Sequence, residues 1–225
     1  MKWLAILDMD GTILEQRTVD VLCEQLGLSE RLMEIDERLK PLQGHEVSER
    51  IAGLFAGIKT STLSAIFDKM TLVEGVQDFV KFLKLRDFLT AIVTDSYEFL
   101  ASKLAKKLGI DEVRGNKLES TNGVLTGRIA MPLGWEDEKQ ENCQKKAVCK
   151  LRVMKHLLKE NQIQDDRSLA VGDSESDYCI IKNARLGVAF RPKHDSILKI
   201  SNVVIRTDFY DLIDWLKRFL DSLCS

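Results

Sequence analysis

A doubly wound α/β fold, with a parallel sheet covered by helices on both faces, is what the sequence predicts. Three observations carry that reading. Short apolar runs bounded by polar or turn residues recur along the chain. Helical patterns separate them. Clusters of Asp, Ser and Thr stand directly after three of the runs.

The first run, Trp3–Leu7, reads as a buried strand. From Thr18 to Met70 the alternation stops. That stretch holds no convincing strand and four helical segments, Val19–Leu26, Glu30–Leu39, Glu46–Phe55 and Leu63–Met70, with breakers at Gly27, Pro41 to Gly44 and Gly57. The expectation is a small helical cap domain inserted after the first strand over residues 17–71, with 1–16 and 72–225 building the core. Val76, Phe79, Val80 and Leu83 then form one face of a helix leading into the strand Leu89–Val93. Leu100, Leu104 and Leu108 follow, and Gly109 ends that helix. Asn122-Gly123 is a strong hairpin signal, because both turn residues need positive φ, so a β-hairpin insertion is expected within Asn116–Ile129, beside the core. Val148, Leu151, Met154 and Leu158 precede the strand Ser168–Val171, and Ile180, Ile181 and Ala184 follow it. Leu186–Phe190 and Val203–Ile205 are the last strands, and Leu212, Trp215, Leu216, Phe219 and Leu220 mark the closing helix.

Composition narrows the function classes. With 225 residues the chain is long enough to bury a core without a metal or disulfide staple. Lys and Arg number 33 against 35 Asp and Glu, which leaves no basic footprint for nucleic acid. Cys23, Cys143, Cys149, Cys179 and Cys224 form no CxxC pair, so they are read as free thiols in a reducing compartment. No stretch approaches the roughly 20 apolar residues of a membrane helix, and Asp8 interrupts the N-terminal apolar run. The expected protein is cytoplasmic, a monomer or homodimer, and binds neither nucleic acid nor membrane.

In open α/β sheets ligands bind beyond the carboxyl ends of the strands. The residues there are Asp8-Met9-Asp10-Gly11-Thr12, Thr94-Asp95-Ser96 and Gly172-Asp173-Ser174-Glu175-Ser176-Asp177. Parallel topology brings Asp8, Asp10, Asp173 and Asp177 to one rim. Carboxylates so crowded repel one another, and Mg²⁺, a hard cation that takes oxygen ligands, removes the penalty. Asp8 and Asp10, two apart after a strand, address one centre: one as nucleophile toward phosphorus, the other as proton carrier. Gly11 lets the backbone turn away, and the Thr12 hydroxyl is expected to lock that turn. Phosphoryl transfer also needs donors and a cation for the equatorial oxygens. Thr94 supplies a hydroxyl. Lys145, Lys146 and Lys150, before the third of these strand ends, are candidates for the cation.

At these residues the chain resembles the haloacid-dehalogenase superfamily of aspartyl-phosphate phosphatases. Asp8-Met9-Asp10-Gly11-Thr12 matches its first motif, Thr94 the second, and Gly172-Asp173 with Asp177 the fourth. Within the superfamily it looks most like the phosphoserine phosphatase branch, which inserts a helical cap after the first motif. The third-motif lysine of that branch falls on Lys150. The resemblance implies Asp8 as nucleophile and Asp10 as general acid/base. Asp8, the carbonyl of Asp10 and Asp173 are implied to hold Mg²⁺, with Asp177 supporting the metal or Lys150, and Thr94 and Lys150 gripping the phosphoryl oxygens. The implied substrate is a small phosphorylated metabolite.

Four positions depart from that branch. Arg17 stands where a cap-entry Glu reads the substrate ammonium. Asp95-Ser96 replace a pair of small Gly residues. Ser176 stands in place of Asn. Arg17, Asp95 and Ser96 are therefore expected substrate-binding residues, with altered substrate preference, and the resemblance adds Arg50 as the counterpart of a cap arginine that binds the substrate carboxylate. The alternatives are a phosphotransferase or phosphomutase using the same aspartyl-phosphate, and a non-catalytic binding protein.

Overall fold

The computed structural model describes residues 2–38, 44–132 and 147–222. Its seven strands are β1 (Trp3–Leu7), β2 (Phe88–Tyr97), β3 (Glu112–Thr121), β4 (Val124–Ala130), β5 (Ser168–Gly172), β6 (Leu186–Phe190) and β7 (Val203–Ile205). They form one sheet in the order β4-β3-β2-β1-β5-β6-β7, parallel except for β4. The central strands are near-continuous apolar runs because helices cover both of their faces. Successive side chains of β1 alternate between those faces. Ala5 and Leu7 join one buried cluster with Ile92, Val171 and Val188, while Leu4 and Ile6 join the other with Val93, Ala170 and Ala189.

The helices are α1 (Thr18–Gln25), α2 (Ser29–Arg38), α3 (Gly44–Leu54), α4 (Thr60–Phe67), α5 (Val76–Leu85), α6 (Glu98–Leu108), α7 (Lys150–Glu160), α8 (Tyr178–Asn183), α9 (Asp195–Leu198) and α10 (Phe209–Ser222). Val153, Met154, Leu157 and Leu158 of α7 cover the second face, with Ile180 and Ile181 of α8. On the first face, α10 packs against α5, and Phe209 stacks between Phe79 and Phe190 with ring centroids 5.0 and 4.5 Å away. The four helices α1 to α4 are inserted between β1 and β2, as the loss of strand signal after Thr18 predicts. Among the described residues, no helix is long and apolar enough to cross a membrane. Among the described residues Cys23, Cys149 and Cys179 form no disulfide, while Cys143 and Cys224 lie outside the described residues.

Two expectations need correction. The hairpin does not stand beside the core. Its first strand, β3, pairs in parallel with β2 through Ala91–Val93, so the hairpin is the edge of the main sheet. The turn itself is as read, with Asn122 and Gly123 at φ 51° and 76°. The inserted helices are stitched to this edge by Gly57 N–H to Leu125 O at 2.8 Å, Leu125 N–H to Ile58 O at 2.8 Å, and Thr60 N–H to Gly123 O at 2.9 Å. The second correction concerns length. β2 continues through Tyr97, so Thr94, Asp95 and Ser96 lie in the last turn of pleat rather than beyond it, with an irregular register between Val93 and Tyr97.

Candidate active site

β1 ends at Leu7, and the chain turns at once. Gly11 has φ 81°, the left-handed region that glycine adopts at no steric cost. A Cβ there would also collide with the Asp173 carboxylate and the Lys193 ammonium, so the backbone approaches that pair closely. Backbone bonds hold the turn. Gly11 N–H donates to Leu14 O at 2.9 Å, and the N–H groups of Ile13 and Leu14 converge on Met9 O at 3.0 and 2.9 Å. The Thr12 hydroxyl, expected to lock it, is buried with no hydrogen-bond partner.

Asp8 is buried and faces Lys150, whose Nζ lies 2.5 Å from Asp8 Oδ1 and 2.7 Å from Asp177 Oδ1. Lys150 is the first residue of α7 and is only 3% exposed, so its ammonium is held between these two acids at the cavity floor. Lys145 and Lys146 lie outside the described residues. Burial alone would lower the Lys150 pKa, but the Asp177, Asp8 and Asp95 carboxylates outweigh it and hold the ammonium above its ordinary range. Burial pushes the Asp8 carboxyl well above the usual range, with Lys150 opposing and Asp177 and Asp173 adding to the rise.

The Asp10 carboxylate turns the other way. Its Oδ1 accepts from Thr18 N–H at 3.0 Å and from the Thr18 hydroxyl, at the start of α1. Burial raises its pKa to about 6, with the two Thr18 bonds and then Arg17 holding it down. Thr18 was not singled out by the sequence. Its signal is slight, a β-branched hydroxyl at the first position of the first inserted helix.

Asp173 and Asp177 come from the far side of β1, on the loop after β5. Asp177 is the third residue of a 3₁₀ turn capped by Ser174, whose N–H and hydroxyl each lie 3.3 Å from Asp177 Oδ2. Oxygens of Asp8, Asp173 and Asp177 all lie within 4.8 Å of one another, and all three residues are buried. Asp173 Oδ2 is buried and pairs with the Lys193 ammonium at 2.6 Å. Three buried carboxylates converging on one point are the donor set that a hard divalent cation fits. The carboxylate of Asp10 is not in that cluster.

At the end of β2, Thr94 is buried and its Oγ1 accepts from Ser96 N–H at 3.0 Å, leaving its own proton to donate. The Ser96 hydroxyl is buried without a partner. Asp95, read as substrate-binding, also has structural work. Its Oδ1 accepts from Val148 N–H at 2.8 Å, which ties β2 to the residues just before α7, and its carbonyl accepts from Asn116 Nδ2 of β3 at 2.6 Å.

A cavity of about 530 Å³ opens over these groups, with Asp8, Asp10, Thr94, Ser96, Lys150 and Asp173 as its floor. Val19, Ile35, Val47 and Ile51 of the inserted helices and Ile129 of β4 form the opposite wall. Arg17 lines this cavity, but not as a free cation: its guanidinium meets Asp36 at 2.8 Å and Asp20 at 3.2 Å. Arg50 is exposed and does not line the cavity. The face of α3 that does is Gly44, Val47, Ser48 and Ile51, at i, i+3, i+4 and i+7, and position 50 falls off that stripe. Lys193 and Asp36 line the cavity and were not anticipated. Lys193 follows β6 and obeys the same strand-end rule as the acids, whereas nothing about Asp36, in the last turn of α2, marks it in sequence.

Comparison with known proteins fits this geometry. Over 196 residues the chain is 30% identical to a phosphoserine phosphatase of Archaeoglobus fulgidus, covering 85% of this chain and 53%, about half, of that relative. It is 28% identical over 221 residues to a phosphoserine phosphatase of Streptococcus thermophilus, covering 96% of each. A solved phospho-aspartyl intermediate analogue of phosphoserine phosphatase superposes with a TM-score of 0.79 at 23% identity, covering 95% of this chain and 98% of that one. At that identity the superposition speaks for the fold alone. The model of the haloacid dehalogenase-like hydrolase family matches residues 5–182, from β1 to the end of α8. Spanning most of the chain and every strand end that feeds the cavity floor, that match places the protein among the haloacid dehalogenase-like hydrolases.

Proposed function

We propose that the protein is a Mg²⁺-dependent phosphomonoester hydrolase working through an aspartyl-phosphate on Asp8. The observation that carries this is the division of labour at the end of β1. Asp8 faces Lys150, while Asp10, two residues on, is held apart by Thr18 at a pKa of about 6. A group in that range both gives and takes a proton near neutral pH.

Asp8 attacks phosphorus, a P–O(Asp) bond forms, and the ester P–O bond breaks. Asp10 gives its proton to the leaving oxygen. Asp10 then takes a proton from water, whose oxygen attacks phosphorus and releases inorganic phosphate and the Asp8 carboxylate. Lys150 and the Thr94 hydroxyl bind the equatorial oxygens. Asp8, the Asp10 carbonyl and Asp173 would hold Mg²⁺, with Asp177 supporting it and Lys150; the ion supplies charge neutralisation at the phosphoryl oxygens.

Residues 17–71 act as the cap that selects a small phosphorylated metabolite, and 1–16 with 72–225 as the catalytic core. The relatives' names make phosphoserine one candidate. Arg17, which lines the cavity paired with Asp36, favours a different substrate body, because a guanidinium repels the ammonium of phosphoserine. The test is phosphate release from p-nitrophenyl phosphate with Mg²⁺, then from a phosphometabolite panel. Wild type turns over the aryl ester and handles phosphoserine poorly. Activity of folded wild type no higher than that of Asp8→Asn sinks the hydrolase reading, and efficient phosphoserine turnover sinks the altered preference alone.

A further inference from the structure

Two lysines serve the acid cluster, and they are held differently. Lys150 is locked: its side chain is 2% exposed and its ammonium bridges Asp8 and Asp177. Lys193 is a half-exposed arm, 55% accessible along its side chain, and its ammonium rests on the buried Asp173 Oδ2 at 2.6 Å.

The root of that arm is fixed. Lys193 N–H donates to the carbonyl of Asp173 itself at 2.8 Å. Two residues earlier, Arg191 adopts φ 44°, donates its N–H to Ile205 O at 2.6 Å, and pairs its guanidinium with Glu15 at 2.6 Å. Pro192 stiffens the link between them. The backbone therefore stays in place, and only the side chain is at liberty to leave.

We propose that Lys193 is an internal counter-ion for Asp173 which a divalent cation displaces, so that metal and ammonium occupy Asp173 Oδ2 in turn. This rests on the reading of Asp8, Asp173 and Asp177 as a cation site. Asp8, Asp10, Asp173 and Asp177 are four carboxylates at one rim, and Lys150 answers two of them. Without a second cation the Asp173 carboxylate is buried and uncompensated, a costly state. Lys193 relieves it and keeps the oxygens gathered. When the divalent ion enters, the two cations compete for one oxygen, and the lysine, whose stem is exposed, gives way into the cavity that it already lines.

The test is Mg²⁺ titration by calorimetry without substrate, on wild type, Lys193→Gln and Lys199→Gln. The last removes the same charge from an exposed position outside the cavity. Lys193→Gln is expected to bind Mg²⁺ about three- to tenfold more tightly than wild type, the worth of a partly exposed ion pair removed from competition. Lys199→Gln is expected to match wild type. Melting in EDTA gives a second readout: Lys193→Gln unfolds at a lower temperature than wild type there, and the difference closes at saturating Mg²⁺. Equal or weaker Mg²⁺ binding by folded Lys193→Gln overturns the proposal, as does a melting difference that persists at saturation. If wild type binds no Mg²⁺ at all, the cation site fails, and with it the premise of the exchange.

Discussion

Lys150 shows how a single residue carries opposite signs of stability. Burying an ammonium costs several kcal/mol, and only its two carboxylate partners recover that cost. Removing it leaves Asp8 and Asp177 buried without their shared cation. Lys150→Met is expected to lose about 3–5 kcal/mol of unfolding free energy in metal-free buffer, read from urea denaturation midpoints, together with phosphatase activity. An unchanged midpoint would mean that the acids are neutral without the lysine. Asp10 differs from Asp8 at the same scale although only Met9 separates them. Thr18 solvates Asp10 with two hydrogen bonds, and Lys150 neutralises Asp8. Two identical side chains therefore take different roles because their neighbours differ.

Elements are tied together by carboxylates as well as by apolar packing. Asp111, just before β3, accepts from Thr90 N–H and the Thr90 hydroxyl at 2.9 Å each, and pairs with Lys84 at the end of α5. Burial would raise its pKa, but the bonds from Lys84 and Thr90 outweigh it and hold the carboxyl below the usual range. A depressed folded value means that the contribution is complete above the unfolded value, near 3.9, and is lost as pH falls through the lower folded one. Asp111→Ala is expected to destabilise by about 1–3 kcal/mol at pH 7, with the gap to wild type closing below about pH 3. Denaturation series at both pH values check it; a gap that stays constant with pH removes the electrostatic account. Asp95 does similar work between β2 and the approach to α7 through Val148 N–H, and so helps set where Lys150 begins.

For the whole molecule, the inserted helices and the hairpin edge behave as one wall of the cavity. Three backbone bonds join residues 57–60 to the hairpin, two at Leu125 of β4 and one at Gly123 of the turn, and Ile129 stands with Val47 and Ile51 above the acids. Gly127 makes that seam possible. It has φ 83°, and a Cβ there would lie 2.9 Å from the Ala56 Cβ. Gly127→Val is expected to force the seam apart, costing about 1–3 kcal/mol by overpacking and added backbone strain. With the chemical groups untouched, KM for an aryl phosphate rises more than kcat falls. Equal KM values for the two proteins would show that the seam does not govern the cavity.

The sequence alone determined the alternation of strands and helices, the helical insertion after β1, the Asn122-Gly123 turn, and the acids at the strand ends. These follow from periodicity and from the rule that parallel strands deliver their carboxyl ends to one edge, both local properties of the chain. Tertiary structure decided the rest. Arg50 misses the cavity because the α3 face that packs inward is set by its neighbours. Arg17 is neutralised by Asp36 from another helix. The hairpin became the sheet edge because β2 had an open side to pair with. Lys193 is 20 residues from Asp173 in the chain and in contact with it in the fold. A lysine in a polar turn looks solvated in any sequence, and only the packing of β6 beside β5 brings its charge to an acid that needs one.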